Sequence, residues 1–265
     1  MEVVKSLLPQ QSSTGSSSDD AAQRYCDLMN ARTVADSEYQ CKLCGNKGYL
    51  FRVENGEAVA RPCKCQGPRD SLRRMKRSGL ENTIRNCTFA SFWAAEPWQQ
   101  KLLSAAKAFA ADPKGWFYLG GQVGCGKTHL CTAIVRELLL AGMEARYFPW
   151  RDGVARLKGQ LNTEEYDAAM KDLKAVKVLY IDDLFKGGTA DGRPSQADIN
   201  IAFELLNHRY LDRGLIAILS SEWTVMELLE MDEAVGSRVY ERASDYCLAI
   251  TKDPAKNWRM KGAAG

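Results

Sequence analysis

Gly121-Gln122-Val123-Gly124-Cys125-Gly126-Lys127-Thr128 matches the phosphate-binding loop pattern G-x-x-x-x-G-K-[S/T] at every fixed position. The apolar run before it, Trp116-Phe117-Tyr118-Leu119, predicts a buried strand, and the apolar-periodic stretch from His129 to Leu140 predicts a helix. Strand, glycine-rich turn and helix in that order are the context the motif needs. Gly121, Gly124 and Gly126 let the backbone curl until successive N–H groups face phosphate oxygens, and the following helix adds its positive N-terminal end. Lys127 is then placed to reach the β- and γ-phosphates, and Thr128 to ligate Mg²⁺. Cys125 within the loop and His129 directly after it complete the expected nucleotide-binding set.

A second element lies downstream. Val176 to Phe185 reads Val-Lys-Val-Leu-Tyr-Ile-Asp-Asp-Leu-Phe, an apolar strand ending in two adjacent carboxylates, the arrangement called Walker B. Two acids at the end of a buried strand are costly unless a cation meets them. Asp182 is the expected Mg²⁺ holder, and Asp183 is placed to orient the attacking water with an arm one methylene shorter than glutamate.

At 265 residues the chain exceeds what a single core commonly holds, so two units are expected. No apolar run approaches the ~18–20 residues that span a bilayer, and Met1 to Gln10 lacks the features of a secretory signal. A cytoplasmic protein with no membrane partner is the expectation, its nine cysteines reduced, buried or metal-bound. Residues 10–20 are polar and of low complexity and read as a disordered tether, with Ser18-Asp19-Asp20 capping a short helix to about Ala31.

Cys41-x-x-Cys44-Gly and Cys63-x-Cys65 flank two short β-prone runs joined at Asn55-Gly56, the strongest short hairpin signal. A hairpin with a cysteine pair at each base gathers four thiolates, and a tetrahedral Zn²⁺ would then fold a segment too small for a core of its own. A redox dithiol is the competing reading. From Arg61 to Arg85 eight basic residues stand against two acidic ones, and Leu72 to Gly79 reads as a short basic helix. That cluster suits nucleic-acid phosphates, an acidic protein surface or a merely solvated linker. The predicted organisation is a tail with a short helix (1–38), the zinc module (39–67), a basic linker helix (68–86) and an ATPase domain (87–265).

Further along, Glu144 to Phe148 predicts a second strand, Asp152 to Leu173 a helical stretch, Ile201 to Arg213 an amphipathic helix, and Leu215 to Ser221 a further buried strand. Strands alternating with helices predict an α/β fold with an open, mostly parallel sheet and its ligand at the strands' carboxyl ends. Taken in order, Gly-Lys-Thr-His-Leu (126–130), Ile-Asp-Asp-Leu (181–184), Asn-His-Arg-Tyr (207–210), Ser-Ser-Glu (220–222), Gly-Ser-Arg (236–238) and Asn-Trp-Arg (257–259) resemble the DnaC/DnaI-type helicase loaders among the AAA+ ATPases, in forms that carry an N-terminal zinc segment.

The resemblance implies an ATP- and Mg²⁺-dependent ATPase that grips a hexameric replicative DNA helicase, binds single-stranded DNA and assembles with copies of itself. It places a γ-phosphate sensor at Ser221 or Glu222, an arginine finger reaching a neighbouring subunit at Arg238, and a second sensor at Arg259. Two alternatives stay open: a transposition helper of the IstB type, and an adaptor that binds ATP but scarcely hydrolyses it.

Overall fold

The computed structural model describes residues 18–35, 40–75, 80–189 and 192–261. The polar stretch before Ser18 and the end of the basic helix at Gly79 lie outside the described residues. The chain divides into two compact units, Met1–Gln66 and Gly67–Gly265.

In the first unit, helix α1 (Ser18–Ala31) lies against an antiparallel hairpin of β1 (Tyr49–Glu54) and β2 (Glu57–Pro62). The turn at Asn55 and Gly56 has φ of 53° and 80°, the left-handed pair that a two-residue hairpin requires. Asn30 on α1 clasps the hairpin, donating to the Phe51 carbonyl at 2.8 Å and accepting from the Phe51 N–H at 2.9 Å. Tyr25 meets the Phe51 ring edge-on, and Cys26 is buried.

In the second unit, helices α2 (Gln66–Met75, whose first residue ends the first unit), α3 (Glu81–Asn86) and α4 (Pro97–Ala111) precede strand β3 (Trp116–Gly121). Then come α5 (Lys127–Leu140), β4 (Ala145–Pro149), α6 (Trp150–Gly159), α7 (Glu164–Ala175), β5 (Val178–Leu184), α8 (Gln196–Leu211) and β6 (Ile216–Ser221). The chain closes with α9 (Val225–Met231), α10 (Glu233–Arg242), β7 (Cys247–Ile250) and α11 (Trp258–Lys261). Five parallel strands form one sheet in the order β4-β5-β6-β3-β7, so β6 sits between the loop-bearing strand and the carboxylate-bearing one.

Alternation along the strands builds two cores. Trp116, Tyr118, Leu179, Ile181, Ala217 and Leu219 face helices α6 to α10, while Phe117, Leu119, Val178, Tyr180, Ile216 and Ile218 face α3, α4 and α5. Both faces being covered is why these strands read as unbroken apolar runs.

The structure departs from the sequence reading in five places, the first being that the basic helix expected from Leu72 already begins at Gln66. The stretch Asp152 to Leu173 is two helices, because Asn162 takes a positive φ of 64° and the Thr163 hydroxyl caps α7 by accepting from Tyr166 N–H. Helix α8 begins five residues earlier than expected, at a capping box in which Ser195 and Asp198 satisfy each other's backbone. Strand β7 has only four residues and left no readable period. Met75, Leu80 and Ile84, expected in a linker, are buried in the core beside α5.

Candidate nucleotide site and four-thiol cluster

The loop after β3 is shaped by close packing. A Cβ at Gly124 would lie 2.0 Å from Asn257 Oδ1, and one at Gly126, where φ is 95°, would lie 2.8 Å from the Phe92 ring. Only glycine fits at either place. Lys127 is 6% exposed, and its ammonium donates to the Gly121 and Gln122 carbonyls at 2.8 and 2.7 Å, so it lies across the loop it follows. The N-terminus of α5 opens onto the same loop.

Asp182, at the end of β5, is where the two halves of the site meet. Its Oδ1 accepts from Thr128 Oγ1 at 3.1 Å, Tyr180 Oη at 2.8 Å and Ser220 Oγ at 2.5 Å, and its Oδ2 from Tyr147 Oη at 3.2 Å. Burial and the neighbouring Asp182 charge push both tyrosine hydroxyls well up from their ordinary value, so both remain donors. A hydroxyl and a carboxylate 3.1 Å apart beside a phosphate loop form a donor set suited to a hard cation such as Mg²⁺.

The pairing of β5 with β6 shifts register between Ile181 and Leu184, and Asp183 sits in this irregularity with φ of 57°. Its N–H donates to Ser220 Oγ at 2.9 Å, and its Oδ2 lies 2.8 Å from Lys186 Nζ. The same ammonium is 3.0 Å from Glu222 Oε1. Ser221 is fully buried, and its hydroxyl donates to the Leu184 carbonyl. Glu222, in contrast, lines a cleft of about 350 Å³ together with Gly121, Gln122 and Val123.

The C-terminal Asn-Trp-Arg segment reaches the loop. Trp258 N–H donates to the Gly124 carbonyl at 3.0 Å, and Arg259 follows with its side chain exposed. Cys125 is buried, with its thiol donating to the Gln122 carbonyl at 2.8 Å. Burial outweighs the cations of Lys127 and Arg259 and raises that thiol, which makes it a poor nucleophile. His129 Nε2 lies 2.8 Å from the Thr88 carbonyl, an acceptor only, so that nitrogen carries the proton and ties residue 88 to α5. Arg238 stands apart from this cluster: it donates to Asn207 Oδ1 and the Ala234 carbonyl, and its guanidinium stacks over Phe203 at 4.8 Å.

Four site residues were not expected from the sequence. Tyr180 shares a strand face with Asp182 through the two-residue period, a signal that was there to be read, whereas Tyr147, Ser220 and Lys186 arrive from other strands or a turn.

In the first unit, the sulfurs of Cys41, Cys44, Cys63 and Cys65 all lie within 4.8 Å of one another. Cys41 and Cys63 are 3.8 Å apart, and Cys44 and Cys65 are 3.6 Å apart. Sulfurs at ~2.3 Å from a tetrahedral centre stand about 3.8 Å apart, so the donor set fits such a metal. The knuckle is set locally: Cys41 N–H donates to Asn46 Oδ1 and Gly48 N–H to Cys44 Sγ, and the Cys63 N–H bond to the Gly48 carbonyl brings the second pair in. Burial opposes ionisation of Cys41, but hydrogen bonds from Cys44 and its neighbours outweigh it and bring this thiol down to about 7.

Comparison with known proteins places these features in a family. A family model described as IstB-like ATP binding protein matches residues 68–251. The Phage-like element PBSX protein XkdC of Bacillus subtilis (strain 168) is 36% identical over 240 residues, covering 85% of this chain and 88% of that protein. The replicative helicase loader DnaC of Buchnera aphidicola (subsp. Acyrthosiphon pisum) is 28% identical over 174 residues, 63% of this chain and 66% of the relative. Among solved structures, DnaI superposes with a TM-score of 0.53 at 22% identity, covering 64% of this chain and 93% of that one. This last likeness is one of fold alone, a parallel sheet flanked by helices.

Proposed function

This chain belongs to the IstB-like ATP-binding family, and we propose that within it the protein is an ATP-dependent loader of a hexameric replicative DNA helicase. What carries the reading is the joining of a four-thiol module to a phosphate-loop domain in which Thr128 and Asp182 meet at 3.1 Å, in a chain whose relatives include DnaC.

In this reading Lys127 takes the β- and γ-phosphate oxygens, and the N–H groups of Gly124 and Gly126 line their path. Thr128 and Asp182 would hold Mg²⁺, which supplies charge neutralisation between the phosphates. Asp183 orients the water, and Arg259, next to the loop through Trp258, serves the same subunit's nucleotide. Arg238, packed against α8 through Asn207 and Phe203, serves the site of a neighbouring copy, so hydrolysis requires ATP-dependent self-assembly. Single-stranded DNA and a cytoplasmic place of work belong to the same proposal, and no helix among the described residues is long and apolar enough to cross a membrane.

Zn²⁺ in the Cys41, Cys44, Cys63 and Cys65 cluster holds the first unit in shape for the helicase. Tyr25, Leu28, Leu43 and Tyr49 are large, apolar and exposed in this unit, and the helicase is the partner that would cover them. Chelation of the full-length protein is expected to remove helicase capture while ATP affinity stays unchanged, as read by co-sedimentation with the helicase and by titration calorimetry. Helicase capture that survives complete zinc removal would show that docking lies elsewhere. One observation favours the weak-hydrolysis alternative: the Asp183 carboxylate is already engaged by Lys186.

A further inference from the structure

Glu222 lines the cleft it shares with Gly121, Gln122 and Val123, yet an ionised carboxylate has no proton to give a phosphate oxygen. Asp183 adds a second carboxylate, tied to the loop through its N–H bond to Ser220 Oγ and through Asp182, which accepts from the hydroxyls of both Ser220 and Thr128. Two carboxylates so close to the place of a triphosphate would repel its terminal group.

Lys186 answers both problems. Its ammonium bridges the two acids at 2.8 and 3.0 Å. Its N–H donates to the Asp183 carbonyl at 2.9 Å, and Phe185 and Gly187 on either side take φ of 64° and 92°, so a defined turn delivers the side chain. The side chain is 38% exposed, which leaves room for a third oxygen partner. We propose that Lys186 is the residue by which this site distinguishes a nucleoside triphosphate from a diphosphate, neutralising Asp183 and Glu222 and supplying the cation that meets the terminal phosphate. The inference rests on the nucleotide-binding reading above and deepens it.

The test is equilibrium binding of Mg²⁺ complexes of a non-hydrolysable ATP analogue and of ADP to full-length protein. Lys186→Met is expected to weaken analogue binding about tenfold relative to ADP, and Lys186→Arg to keep the wild-type ratio. Adding Glu222→Gln to Lys186→Met is expected to recover part of the loss, because one repelling charge has gone. A Lys186→Met protein whose triphosphate-to-diphosphate ratio stays within about twofold of wild type overturns the inference and leaves the nucleotide reading standing. Wild-type protein that binds neither nucleotide overturns that reading and the inference with it.

Discussion

Lys127→Ala is expected to lower ATP affinity by on the order of a thousandfold, the loss of about 4 kcal/mol. The size follows from where the ammonium lies. Only 6% of Lys127 is exposed, so its charge meets an anion with little solvent between them. In the structure the carbonyls of Gly121 and Gln122 hold the ammonium across the loop. Within the loop no second cation is available, because it carries glycine at 121, 124 and 126 and places Cys125 against its own backbone. Titration calorimetry reads the affinity. Thermal melting of the same variant serves as the control, since a cost to the fold from leaving the Gly121 and Gln122 carbonyls without this donor would appear there and not in affinity alone. An affinity within about threefold of wild type would contradict the assignment.

Arg209→Leu is the second large effect and concerns the fold. Arg209 is fully buried and forms no ion pair among the described residues; its two terminal nitrogens donate to five carbonyls, those of Leu173, Lys174, Val176, Lys177 and Ile216. The first three belong to the end of α7 and the residue that caps it, where unpaired carbonyls and the negative end of the helix stand in for a counter-ion. The other two flank the start of the β5–β6 pairing. Burial lowers the guanidinium to about 10, still charged at neutral pH. One side chain thus ties a helix end to two central strands. Leucine fills the space but leaves buried carbonyls without donors, at a cost on the order of 4 kcal/mol. For a unit of this size that lowers Tm by roughly 10 °C. Arg209→Lys should fall between the two, because three donors on a point charge cannot meet five acceptors. A Tm within about 2 °C of wild type for the leucine variant would show that the carbonyls find other partners.

Residues that act through local spacing were legible in the sequence. The phosphate loop, the paired aspartates on an apolar strand and the four cysteines around Asn55-Gly56 all carry their geometry in short patterns, and the structure gathers each of them. Side chains that meet from distant elements were not. Arg209 stood within the motif Asn207 to Tyr210 with no role that spacing could assign, because its five acceptors come from α7, the connection before β5, and β6. Lys186 is three residues past Asp183, but nothing in the pattern showed that Glu222 would come from β6 to share it. Which of Ser221 and Glu222 the end of β6 buries was likewise not written in the spacing; it buries Ser221. Strand β7 escaped notice for lack of length, although it pairs with β3 and its Ile250 carbonyl receives the Gln122 N–H of the loop.

Native mass spectrometry of the zinc-loaded protein with a hexameric replicative helicase, with and without ATP and Mg²⁺, tests most directly whether this chain loads a helicase, as proposed. A helicase hexamer carrying several copies of this chain, with occupancy that changes when ATP is supplied, is the result expected. No complex with the helicase, together with ATP-driven assembly of this chain on DNA alone, would contradict the claim and place the protein with the transposition helpers of its family.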